Sequence, residues 1–314
     1  MKLVRRAVID VGTNSIKLLV ADVAGEQVQP VWEGSVQTRL GQGFYQTHRL
    51  QPGPLAQTAE AVAKYAETAR RHEAATIRVI ATSAARDAVN AEDLLAAIQS
   101  AAGLPVEIIS GEQEAEWAFR GVTTDPNFAQ QPLLLLDVGG GSTEFILGQG
   151  GRKHFARSFP LGTVRLLEKI PPDDPPTAAQ LAACRDWVKL FLSETVRPQL
   201  EPALEREAKL GRIELVGTGG TTSILARLEA QLETFDRDRI EQTRLGLERV
   251  RWQVNRLWSL PVAERQQIVG LPKKRADVIL SGAVIYEAVL AVFGFTELRV
   301  STRGLRFAAV MAEP

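Results

Sequence analysis

An α/β fold built from two related halves is predicted by three observations in the 314-residue sequence. The first is a turn written twice. Ile9-Asp10-Val11-Gly12-Thr13-Asn14-Ser15-Ile16-Lys17-Leu18-Leu19-Val20 recurs 127 residues later, without a gap, as Leu136-Asp137-Val138-Gly139-Gly140-Gly141-Ser142-Thr143-Glu144-Phe145-Ile146-Leu147. The second is the alternation of apolar runs that read as strands with amphipathic runs that read as helices, which is βαβ traffic. The third is a further glycine-rich turn, Gly217-Thr218-Gly219-Gly220-Thr221-Thr222-Ser223, set between a strand and a helix.

Each hairpin copy is an apolar strand, Asp-Val-Gly, two small or polar residues, Ser and a second apolar strand, which reads as a β-hairpin with a glycine-rich bend. Small residues let backbone N–H groups approach an anion, and the Ser adds a hydroxyl donor. The Asp repels phosphate unless a cation lies between them, so the simplest ligand is a Mg²⁺-bound phosphate chain. After the first hairpin, residues 28–36 read as a strand, followed by the loop Arg39-Leu40-Gly41-Gln42-Gly43. An amphipathic helix is expected at 55–72, a strand at 75–81, a helix at 91–102, a short strand at 106–109 and a helix at 112–122. Thr124-Asp125-Pro126-Asn127 then punctuates the chain just before the second hairpin and marks a domain boundary. The segment Pro171-Pro172-Asp173-Asp174-Pro175-Pro176 is a surface loop leading into a helix at 178–196, with Pro198 and Pro202 beyond it. The strand at 213–216 feeds the third glycine turn, which opens into Ile224-Leu225-Ala226; loop and helix start supply free N–H groups.

A hydrophobic content of 45% with 24% charged residues is ordinary for a soluble globular protein, and the length suggests two domains. No apolar run reaches the roughly 18 residues that span a bilayer, and residues 1–6 run into a strand without a signal-peptide core. A cytoplasmic protein without membrane attachment is expected. The single cysteine, Cys184, excludes an internal disulfide framework. Three scattered histidines, His48, His72 and His154, leave little for a His-rich metal site, so oxygen ligands and a hard cation remain. With 37 basic and 37 acidic residues, a polyanion would be held by a local basic cleft and not by a global field. The run Lys273-Lys274-Arg275 reads as a solvated helix start that could also lengthen a basic track. Trp252 and Trp258 sit with Val250, Val254 and Leu257 at helical spacing and read as core, not as a base-stacking platform. Residues 60–71 and 201–212 read as charge-rich helical faces, and no feature points to nucleic acid.

Five motifs, in this order, resemble the exopolyphosphatase/guanosine pentaphosphate phosphohydrolase (Ppx/GppA) family of the actin-like superfamily. They are Asp10-Val11-Gly12-Thr13-Asn14-Ser15, Ala81-Thr82-Ser83-Ala84-Ala85-Arg86, Ser110-Gly111-Glu112-Gln113-Glu114-Ala115, Asp137-Val138-Gly139-Gly140-Gly141-Ser142-Thr143-Glu144 and Gly217-Thr218-Gly219-Gly220-Thr221. Leu161-Gly162-Thr163-Val164-Arg165, Arg275-Ala276-Asp277-Val278-Ile279 and Ser301-Thr302-Arg303-Gly304-Leu305-Arg306 fit as well. The resemblance implies two actin-like (ribonuclease H-like) α/β domains, each a mixed sheet flanked by helices, with the active site in the cleft between them. The domains span 1–124 and 125–302, and a terminal helix, 303–314, crosses back to the first. The implied activity is processive hydrolysis of the terminal phosphate of inorganic polyphosphate, dependent on Mg²⁺ or another divalent cation. Hydrolysis of guanosine pentaphosphate to the tetraphosphate is the alternative; a superfamily kinase using ATP and a non-catalytic sensor of alarmone nucleotides are others. Family members are often homodimers, and no residue of the sequence shows this.

Phosphoanhydride hydrolysis needs a positioned water, a group to deprotonate it and cations to neutralise the transferred phosphoryl. Glu114 follows a Ser-Gly break near a predicted helix start, where its carboxylate could project from the element end. Glu112 and Glu116 flank it, and acidic residues in a first turn also complement the helix dipole. The resemblance singles out Glu114 as the catalytic glutamate that activates the attacking water. Asp137 is the expected metal ligand, with Glu144 seven residues on as its companion across the hairpin, since Mg²⁺ commonly takes one or two carboxylates beside waters and phosphate oxygens. Asp10 is expected to hold its own turn by accepting backbone N–H bonds. Arg86 follows a strand and a short polar turn, from which a guanidinium can fork onto phosphate, and it matches the family's phosphate-binding arginine. Thr13, Asn14, Ser15, Gly139, Gly140, Gly141, Ser142, Gly219, Gly220 and Thr221 complete the expected phosphate contacts.

Overall fold

The structure, a computed structural model, describes residues 3–209 and 211–312. The ends of the expected first domain and terminal helix, 1–2 and 313–314, and residue 210 of the expected charged face lie outside the described residues. The chain forms two compact units, Met1–Pro126 with Arg303–Pro314, and Asn127–Thr302.

The first unit is a five-stranded sheet of β1 (Val4–Val11), β2 (Ser15–Ala24), β3 (Gln27–Gln37), β4 (Thr76–Ala81) and β5 (Val106–Ile108), in the order β3-β2-β1-β4-β5. The β1-β2-β3 meander is antiparallel, and β1, β4 and β5 run parallel. Parallel strands need crossovers, supplied here by α1 (Pro52–Arg71) ahead of β4 and by α2 (Ser83–Asp87) and α3 (Ala91–Ala102) between β4 and β5, while α4 (Gly111–Val122) follows β5. Pro52 opens α1, where a missing N–H costs nothing. The two-residue period of β1 divides its apolar side chains between two cores. Ala7, Ile9 and Val11 pack with α1 and α3, and Val8 packs with Trp117 of α4 and the C-terminal helix, Leu305–Met311. That last helix buries Phe307, Ala308 and Val310. Its terminal carbonyls are capped by arginines from the sheet: Arg78 donates to Ala309 O (3.3 Å) and Arg6 to Met311 O (3.1 Å).

The second unit is a six-stranded sheet of β6 (Leu133–Val138), β7 (Thr143–Gln149), β8 (Arg152–Phe159), β9 (Glu214–Thr218), β10 (Arg244–Gly246) and β11 (Glu297–Val300), ordered β10-β11-β9-β6-β7-β8. It repeats the first topology strand for strand, with an antiparallel meander of β6-β7-β8 and a parallel run of β6, β9 and β11. Only β10, antiparallel on the β11 edge, is added. Helices α5 (Thr163–Lys169), α6 (Ala178–Phe191), α7 (Arg197–Ala208), α8 (Gly219–Ala230), α9 (Leu247–Trp258) and α10 (Ile279–Phe293) are its longer helices. The core holds Leu134, Leu136, Phe145 and Leu147 of the sheet against Val188 of α6 and Val284, Tyr286 and Leu290 of α10. Among the described residues no helix is long and apolar enough to cross a membrane.

The helix expected to end at 196 continues: a π-helical turn, Leu192–Val196, joins α6 to α7, with Pro198 in the first turn of α7 and Pro202 inside it. The wider turn already shifts the hydrogen-bond ladder where the first proline lacks its donor. Trp258 is core, its Nε1 donating to Leu280 O at 3.2 Å, but Trp252 is 45% exposed and lies between the guanidinium groups of Arg249 and Arg256. Two residues from both Val250 and Val254, it stands roughly 200° around the helix from the buried stripe. Arg275 lies in a short 3₁₀ turn, Lys273–Arg275, and is buried at 9% exposure, so it does not belong to a solvated basic run.

Candidate active site

In an open sheet with parallel strands, ligands gather where those strands end in loops. β1, β4 and β5 end on one edge of the first sheet, and each runs into a segment carrying expected site residues: 12–15, 82–86 and 110–114. The first turn is closed by Gly12 N–H donating to Ser15 O at 3.1 Å. The loop after β3 lies over it, with Gly41 N–H on Thr13 O (2.7 Å) and Arg39 N–H on Asn14 O (3.1 Å). Gly41 is required there, because a Cβ would run into the Thr13 methyl. Thr82 N–H on Val11 O (3.2 Å) ties the second segment to the first.

Three buried polar side chains at this edge have no hydrogen-bond partner among the described residues: Asn14 Nδ2, Ser15 Oγ and Ser83 Oγ, on residues 5%, 4% and 3% exposed. Buried donors left unmatched are costly, and a polar ligand at this edge would match them. Ser83 was not among the expected contacts. Its signal was a hydroxyl placed directly after a parallel strand, beside Thr82 and three residues ahead of Arg86. Asp10, expected to tie its turn, makes no hydrogen bond among the described residues; the Gly12–Ser15 backbone bond does that work. Burial pushes the Asp10 carboxyl above the usual carboxylate range, opposed by the charges of Lys17 and Arg306.

Ser110 caps α4, its hydroxyl accepting from Gln113 N–H at 3.1 Å. That cap sets the first turn, and Glu114 projects from the next position. Its Oε2 accepts from Arg86 Nη1 at 3.1 Å, while the same Nη1 donates to Ile109 O at 3.0 Å. Glu112 is exposed, whereas Glu114 is half-buried. The structure thus brings Arg86 and Glu114 together.

The second sheet repeats the edge. Gly139 N–H donates to Ser142 O (2.9 Å), and the start of α5 folds over the glycines, with Thr163 N–H on Gly139 O (2.9 Å) and Val164 N–H on Gly140 O (2.8 Å). Asp137 and Glu144 are direct cross-strand partners, at the register that pairs Asp10 with Lys17 in the first hairpin. One copy sets an acid opposite an ammonium; the other sets two acids opposite each other. Glu144 is 1% exposed, with Oε1 accepting from Ser158 Oγ at 2.7 Å. Among the described residues no group of three His, Cys, Asp or Glu is gathered for a metal. A pair of hard oxygen ligands fits Mg²⁺, which keeps waters and takes substrate oxygens.

The third glycine turn is not a loop. β9 runs to Thr218 and α8 begins at Gly219, whose φ of +86° reverses the chain in one residue. A Cβ on Gly219 would meet Asp137 Oδ1, and one on Gly220 would meet Arg275 Nη2. The two glycines therefore seat a carboxylate and a guanidinium against the helix start. Thr221 Oγ1 donates to Val138 O at 3.2 Å, which ties α8 to β6.

The sequence model of the Ppx/GppA phosphatase family matches residues 19–311. Exopolyphosphatase 2 of Mycobacterium tuberculosis is 36% identical over 297 residues, 91% of this chain and 90% of that protein. The crystal structure of the Aquifex aeolicus Ppx/GppA family member is 28% identical with a TM-score of 0.78, covering 99% of this chain and 97% of that one. An exopolyphosphatase from Cytophaga hutchinsonii is 25% identical with a TM-score of 0.83, covering 97% and 96%. With its two mixed sheets in the actin-like arrangement, the chain belongs to the Ppx/GppA phosphatase family, hydrolases acting on phosphoanhydride bonds.

Proposed function

We propose that this protein is an exopolyphosphatase, removing the terminal phosphate of inorganic polyphosphate by Mg²⁺-dependent, processive hydrolysis. The observation that carries the reading is the Arg86–Glu114 pair at 3.1 Å, a carboxylate base beside a phosphate-binding guanidinium at an edge rich in unmatched donors. The names of the M. tuberculosis and C. hutchinsonii relatives support polyphosphate as the substrate class.

In this reading Asn14, Ser15, Ser83 and Arg86 bind phosphate oxygens. Glu114 takes a proton from water as the water oxygen bonds to the terminal phosphorus; the bridging P–O bond breaks and its electron pair leaves on the shortened chain. Asp137 and Glu144 would hold Mg²⁺, which supplies neutralising charge to the phosphoryl oxygens. Arg275, seated on Gly220, adds a fixed positive charge on the second unit.

The test is phosphate release from long-chain polyphosphate and from guanosine pentaphosphate, side by side, in Mg²⁺ and in chelator. Polyphosphate is expected to be the better substrate, with release abolished by chelator and with full-length and fully degraded chains coexisting early in the reaction. Faster release from guanosine pentaphosphate would reassign the substrate, and transfer to an acceptor in preference to water would make the protein a kinase.

A further inference from the structure

The Arg86 guanidinium has two edges in two different environments. Both hydrogens of Nη1 are spent inside the protein, one on Ile109 O at 3.0 Å and one on Glu114 Oε2 at 3.1 Å. Nε and Nη2 make no hydrogen bond among the described residues, and the nearest anion to Nε is Asp87 Oδ1 at 3.9 Å. The side chain is 24% exposed, so this edge is not sealed in the core. An Nε/Nη2 edge is the bidentate face that matches two oxygens of a phosphate. Ile109 O, the carbonyl of the residue just after β5, anchors Nη1 and keeps the plane from rotating away.

We infer that Arg86 is a positioning residue for Glu114 as well as a phosphate contact: one planar group holds the base on its inner edge and the terminal phosphate on its outer edge. The rigid guanidinium then sets the separation between the carboxylate and the phosphorus its water must reach. Anchoring and activation are coupled through a single side chain. A lysine, with a compact charge on a flexible stem, can still attract the phosphate but cannot fix both partners. This inference rests on the reading of Glu114 as the base.

The experiment is a double-mutant cycle in steady-state phosphate release from tripolyphosphate with Mg²⁺, using the parent, Arg86→Lys, Glu114→Gln and the double variant, each checked by thermal melting. Arg86→Lys is expected to keep KM within about threefold while lowering kcat roughly tenfold or more. In the Glu114→Gln background the same change is expected to lower kcat by less than about twofold, because a group acting through Glu114 has nothing left to act on. Should Arg86→Lys melt below the assay temperature, Arg86→Gln, which keeps a planar donor, carries the same comparison. A raised KM with unchanged kcat, or equal kcat losses in both backgrounds, would overturn the inference while leaving Glu114 as the base. A parent that releases no phosphate, or a Glu114→Gln variant with near-parent kcat, would overturn the functional reading and the inference with it.

Discussion

Three glutamates, Glu112, Glu114 and Glu116, crowd the start of α4, and the Arg86 pair distinguishes the middle one. Glu114→Gln keeps size and hydrogen bonding but removes the basic oxygen, so kcat should fall by roughly 10²–10⁴. Glu112→Gln and Glu116→Gln should stay within a few-fold of the parent; equal losses in all three would reduce the effect to lost acidic charge. Asp10 offers a stability test at the same scale. Its folded pKa is raised by burial, so its favourable contribution is present below the ordinary carboxylate range and is lost as pH rises through the folded value. Asp10→Asn removes that penalty. Its melting temperature should exceed the parent's at pH 7, and the gain should vanish as the pH falls below the ordinary carboxylate range. A gain independent of pH would show that ionisation is not its source.

Among the elements, the start of α8 is the most constrained. Gly219→Ala places a Cβ at φ +86° against Asp137 Oδ1, and should cost about 1–3 kcal/mol in urea unfolding while lowering phosphate release. Gly53, in the first turn of α1 with open space around it, is the contrast: Gly53→Ala should be neutral or stabilising by up to about 1 kcal/mol. Much of this scale was legible beforehand. The hairpins announced themselves because a short Gly-rich bend between apolar strands fixes register, and register alone puts Asp137 opposite Glu144. The expected 91–102 helix coincides with α3 because its amphipathic period and Gly103 stop both act locally. What local pattern could not reveal was set by tertiary contact. Ser83 matters through the strand beside it, Arg275 through a glycine more than fifty residues away in sequence, and the π turn through the need to pass Pro198 without ending the helix.

At the level of the molecule, one topology is used twice, and the halves differ in what completes them. The second unit is contiguous in sequence; the first is closed by a helix that arrives only after Thr302. Phe307, 1% exposed in the core with Val8, Leu19 and Ile80, tests how much the first unit depends on that helix. Phe307→Ala should lose about 3–5 kcal/mol and melt the first unit ahead of the second, visible as a split in a calorimetric scan. A single unshifted transition would show that the helix is dispensable.

The discontinuity also orders events at the ribosome. As the nascent chain emerges, residues up to Pro126 are available first, yet the apolar face formed by Val8, Leu19, Ala21 and Ile80, with only Ile109 and Trp117 on it, stays incompletely covered until Leu305–Met311 has been translated. At ~5–20 residues per second that wait lasts roughly ten to thirty seconds. During it the contiguous second unit can finish folding, so the half made first is completed last.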